Sequence, residues 1–92
     1  MNDRIKEQED EINRYEEELK ELNEDIDYYN NKIIRYNEQL VQLEEEGNTL
    51  DLISKVDIIS MVHCDISRKL VDKSVKLQCI QNCRKAIKSL RG

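Results

Sequence analysis

The sequence predicts an all-α protein. Two long antiparallel helices should form a coiled-coil-like helical hairpin that oligomerises into a four-helix or larger bundle. Three observations predict this. An apolar residue recurs every seven positions through the first half. The chain contains no Pro and only two Gly, one of them terminal, so it has turn vocabulary for a single connection. The two halves carry opposite charge. A chain of 92 residues holds one domain at most. The expected layout is a single hairpin domain over 1–92, with helix 1 at about 3–46, a turn at 47–49 and helix 2 at about 50–91.

Helix 1 is read from its repeat. Ile5, Ile12, Leu19, Ile26, Ile33 and Leu40 fall at a positions of a heptad, and Gln8, Tyr15, Leu22, Tyr29, Tyr36 and Leu43 at d. Only Gln8 among these twelve is neither apolar nor Tyr, which marks a coiled-coil seam rather than a generic amphipathic helix. Asn2 or Asp3 can cap the start, and Asp3, Glu7, Glu9, Asp10 and Glu11 suit the positive end of the helix dipole. Ile34 and Val41, at b positions, widen the apolar face toward the turn, where the core should be thickest. Glu44, Glu45 and Glu46 break a local rule, because acids oppose the dipole at a helix C-terminus. They read as a solvated turn.

Gly47-Asn48-Thr49 is the one break on offer. Gly47 can take the left-handed conformation that ends a helix. Asn48 or Thr49 can cap the next, with Asp51 in its first turn. Helix 2 is less tidy. One stripe is Val56, Ile59, His63, Ile66, Leu70, Leu77, Ile80 and Ile87. A second is Val71, Val75, Cys79, Cys83, Ala86 and Leu90. Leu50 to Val62 is apolar on nearly every side, as in a helix with neighbours on several sides.

Charge argues for the antiparallel arrangement. Residues 1–27 sum to −8 (4 basic, 12 acidic) and residues 68–92 to +7 (8 basic, 1 acidic). A hairpin lays these segments side by side, so that Glu7 to Asp25 face Lys73 to Arg91. A parallel homodimer through the heptads of helix 1 would instead gain no attractive flanking pair and would oppose Glu11 with Glu16. In a lone hairpin the stripe Val71, Val75, Cys79, Cys83, Ala86 and Leu90 stays uncovered. It is therefore the expected oligomer or partner interface.

Little in the sequence can carry chemistry. Cys79 and Cys83 are spaced i, i+4, which places two sulfurs on one helix face as two potential metal ligands. His63 and Cys64 lie about 15 residues away, or about 22 Å along the same helix, so one chain cannot complete the site. These cysteines read as small packing residues, and no cofactor or metal is expected. His63 and Cys64 point about 100° apart and cannot act on each other as base and nucleophile. The carboxylates of helix 1 lie on a solvated face, not in an enclosed site. The protein is not expected to be an enzyme. Tyr15, Tyr29 and Tyr36 read as seam residues, and Tyr28, off the seam, as a contact residue.

Lys73, Lys76, Arg84, Lys85, Lys88 and Arg91 could contact phosphate or nucleic acid. No aromatic lies among them, and helix 1 should neutralise them, so nucleic acid is the weaker reading. No apolar run is long enough for a membrane span, and the acidic start is unlike a signal peptide. With three cysteines, an odd number, the default setting is the reducing cytoplasm. In size and expected hairpin form the chain resembles the small helical proteins exported by type VII systems. Their mark is Trp-x-Gly at the turn, where this sequence has Glu46-Gly47-Asn48, so the likeness is one of outline and assigns no residue a role.

The functional expectation is a non-enzymatic coiled-coil interaction protein: an adaptor, scaffold, subunit or inhibitor that binds protein partners through its helices and self-associates. Richness in Ile, Asn, Lys and Glu fits a low-GC genome, and a small helical product of a phage or mobile element that regulates a host enzyme would have this form.

Overall fold

A computed structural model of the chain describes residues 2–92, with side chains from residue 3 onward. The expected cap by Asn2 lies outside the described side chains. Two helices account for nearly all of it: α1, Asn2–Glu46, and α2, Thr49–Arg91. There is no strand among the described residues. Such long helices follow from the composition. With no Pro, and with Gly only at 47 and 92, nothing interrupts the backbone hydrogen-bond ladder between the turn and either terminus.

The connection is Gly47 and Asn48, one residue shorter than the predicted link, because Thr49 is already helical. Gly47 sits at φ +70°, a conformation open to glycine at little steric cost. The Gly47 N–H donates to the Glu44 carbonyl (3.1 Å) and the Asn48 N–H to the Leu43 carbonyl (3.0 Å). That pair of bonds is a Schellman closure of α1. Asn48 then opens α2. Its Oδ1 accepts from the Asp51 N–H (3.3 Å), while its Nδ2 donates to Asp51 Oδ2 (2.7 Å). Two residues thus satisfy backbone groups at both helix ends that meet there.

By its contacts the chain divides into two compact units, residues 1–23 with 71–92, and residues 24–70. In the unit holding the turn, Ile33, Val62 and Ile66 form a buried cluster against which Tyr29 and Tyr36 pack. Ile59 is buried there too. The helices run antiparallel, with the Lys55 ammonium 4.8 Å from the centre of the Tyr36 ring and Lys69 Nζ 3.3 Å from Asp25. In the unit holding both termini, Leu22 and Ile80 are the buried side chains. The helix segments are again antiparallel: Lys76 meets Glu18 at 2.9 Å, Arg84 meets Glu16 at 3.9 Å and Arg91 meets Glu9 at 3.4 Å. The acidic segment of α1 and the basic segment of α2 therefore meet as their charges require.

All twelve heptad positions of α1 are buried or half-buried. The inner face of α2 differs from its predicted main stripe. Its apolar members are Leu52, Ile59, Val62, Ile66, Ile80, Cys83 and Ile87, and its remaining heptad positions are Lys55, Lys69, Lys73 and Lys76, all half-buried. The lysines fit because their methylene stems cover apolar surface while the ammonium groups reach out, to Tyr36, Asp25 and Glu18 in three of the four cases. Val56, His63, Leu70 and Leu77, read as part of the main stripe, consequently lie outside. Ile34 and Val41 do not thicken the core either: they are 57% and 56% exposed.

Candidate functional site

The predicted interface stripe is unevenly exposed. Val71 and Val75 are exposed, at 65% and 54%. Cys79, Cys83 and Ala86 are half-buried within the terminal unit, and Leu90 sits at its margin. Cys79 touches the tyrosine seam of α1. Hydrogen bonding with Cys79, followed by its charge, holds the Tyr15 hydroxyl above its usual value of 10.0. All three cysteines are free thiols, and Cys64 is exposed. Among the described residues, no three His, Cys, Asp or Glu side chains converge as a metal-binding group.

The six predicted cationic contacts fare unequally. Lys76 is held by Glu18 and, at 3.6 Å, by Asp72. Its pKa is raised, chiefly by the hydrogen bond to Glu18, and that of Glu18 is lowered, chiefly by the same bond. Arg84 and Arg91 are tied to Glu16 and Glu9. Lys73 is half-buried, and Lys85 and Lys88 are exposed, as are Arg84 and Arg91 beside their partners. Three of the six charges thus point at carboxylates of α1. An open depression of about 540 Å³ beside Arg84, Ile87, Lys88 and Arg91 includes two of these committed arginines.

The turn unit presents two unlike sides. On one, Gln39, Gln42 and Glu46 of α1 and Asp51, Ser54 and Ile58 of α2 line an open groove of about 380 Å³. The same heptad positions carry Asp25, Lys32 and Arg35 on α1, and Asp65 and Arg68 on α2. Tyr28 lies here as well, 53% exposed, with Lys32 Nζ 4.7 Å from its ring centre and Tyr29 edge-on at 5.6 Å. With Leu52, Ile59 and Ile66 taken as a positions of α2, the opposite side is made by the b and e positions of both helices, one and four residues after each a. Between its ends it consists of Asn30, Ile34, Asn37 and Val41 from α1 and Ile53, Val56, Ser60, His63, Ser67 and Leu70 from α2. All ten are exposed and none is charged, in a chain of which 38% is charged. Asp27 and Glu44 bound it.

Sequence reasoning places five of these ten residues elsewhere: Val56, His63 and Leu70 on the main stripe of helix 2, and Ile34 and Val41 in a thickened core; the other five it leaves unassigned. The available signal was the spacing of Ser60, Ser67 and Ser74, seven apart and in step with Ile53. It marks a face of helix 2 that lacks charge without being apolar throughout. No described helix is long and apolar enough to cross a membrane. Compared with family models, curated proteins and solved structures, the chain matches none of them.

Proposed function

We propose that this chain is a non-enzymatic interaction protein that works by presenting helical surfaces to other protein, its own copies included. One observation carries the reading. The turn unit exposes nine large hydrophobic side chains, Tyr28, Ile34, Val41, Leu50, Ile53, Val56, Ile58, Met61 and Leu70, while burying four. Scattered apolar residues on a surface are ordinary, but nine exposed on one small unit, beside four buried and six half-buried, support a role in which another surface covers them. Adaptor, scaffold, subunit and inhibitor are all forms of this one activity.

The test is site-specific photo-crosslinking of the full chain in cells, with the reactive residue placed at Val56 and separately at Val75. Discrete protein adducts, to the chain itself or to another protein, support the reading. Adducts to nucleic acid, or none from either position, would overturn it.

A further inference from the structure

We infer that the uncharged side of the turn unit is where a second copy of this chain docks. The inference rests on the interaction reading above and names both surface and partner. Five apolar side chains, Ile34, Val41, Ile53, Val56 and Leu70, are each about half exposed on it, between 46% and 57%. The polar groups among them are amides, hydroxyls and one imidazole, which can exchange hydrogen bonds across the contact, and no carboxylate, ammonium or guanidinium lies among them.

Of the sides of the turn unit, this one sets the least like charge against a second copy. Residues 24–70 sum to −5 (5 basic, 10 acidic), so two turn units brought together at random repel. Face to face on this side they bring no charge against charge except at the margins, where Asp27 and Glu44 stay in solvent. A two-fold contact is self-complementary by construction, since each apolar row meets the same row reversed.

The area is sufficient. From Ile53 to Leu70 the side runs about 26 Å, and two helices of about 10 Å each make it about 20 Å wide. That is about 500 Å² per copy and about 1,000 Å² in all, the floor for a biological interface and the range of a weak, concentration-dependent dimer. The chain also has surface to spare. Its accessible area is 7025 Å², whereas a folded monomer of its mass should show about 5,600 Å².

The test is light scattering after size exclusion on the full chain in reducing buffer, from about 10 to about 200 μM. The expected wild-type mass is twice 11.0 kDa. Ser60→Glu and Ser67→Glu remove no apolar contact and favour the helix, so each monomer should keep its far-UV circular dichroism. Each should nonetheless weaken the dimer by about 100-fold, because an unpaired carboxylate would be buried. Met61→Glu and Val75→Glu, on other faces, should leave the mass at the dimer value. A monomeric wild type throughout the range, or a dimer that survives the serine variants and is lost with Val75→Glu, would overturn the proposal. In the first case adducts to foreign protein at Val56 would still uphold the wider reading. In the second the interface would lie on the Val71 and Val75 face.

Discussion

In the unit that holds both termini, residues 1–23 sum to −5 (4 basic, 9 acidic) and residues 71–92 to +5 (6 basic, 1 acidic). Three ion pairs join the two segments, and four large hydrophobic side chains stay exposed. In the unit that holds the turn, one ion pair joins the helices, four hydrophobic side chains are buried, and nine remain exposed. The net charge of the whole chain, −5, resides there. The terminal unit is thus neutral and internally matched, whereas the turn unit packs a firmer core and leaves both charge and apolar surface unmatched. Exposed ion pairs are individually weak, about 0–1 kcal/mol each, but several of one polarity decide which segment lies beside which. Buried aliphatic side chains decide how firmly.

The sharpest way to break this comparison is to remove one aliphatic side chain from the turn unit. Ile66→Ala should lower stability by about 2–5 kcal/mol, read as a drop in the urea midpoint. A drop no greater than that of a surface alanine would show that the cluster of Ile33, Val62 and Ile66 is not the anchor of the unit. A middle-sized effect belongs to the connection. Gly47→Ala meets no atom within 4 Å, so its whole effect, about 1–2 kcal/mol, is the strain of a left-handed alanine. Asn48→Ala should lose about 1 kcal/mol with the cap. Thermal melts followed by circular dichroism would measure both, and an unchanged Gly47→Ala midpoint would deny the Schellman turn a part in stability.

The smallest effect is electrostatic and belongs to the terminal unit. Glu18 titrates below its usual 4.5 because Lys76 donates to it. Its contribution is complete above 4.5 and is lost as the pH falls through the lowered folded value. Lys76, raised above 10.5, contributes fully below that value and loses its share as the pH rises through the raised one. The gap in melting temperature between wild type and Glu18→Gln should therefore be present at neutral pH and close in acid. A gap that persists in acid would assign the effect to helix propensity instead of the ion pair.

Much of this was legible from residues alone, and the exceptions share one cause. The heptads of α1 were plain because Ile, Leu and Tyr occupy nearly every seam position. Gly47 and Asn48 announced the turn, and the segment charges announced the antiparallel pairing. Helix 2 misled because a search for apolar stripes passes over lysine. Lys55, Lys69, Lys73 and Lys76 hold four heptad positions of the inner face, each with a hydrocarbon stem that packs and a charge that escapes. Once those positions are discounted, Val56, His63, Leu70 and Leu77 look like the seam, one step round the helix from the real one. For the same reason the uncharged side is hard to see in the sequence: Val56, His63 and Leu70, three of its members, fit the apparent seam.

The two-residue connection has a further consequence, for the angular phase of α2. Each residue turns an α-helix by about 100°, so one residue added between Gly47 and Asn48 would advance the whole following helix by that angle. The row of Asp51, Ser54 and Ile58 would then swing toward α1, and the row of Leu52, Lys55 and Ile59 would swing away. The turn is in this sense a clock setting. It decides which of two rows, one residue apart, becomes interior and which is left to meet the outside. A length change at this one place would alter the outward face of the unit without changing a single side chain on it.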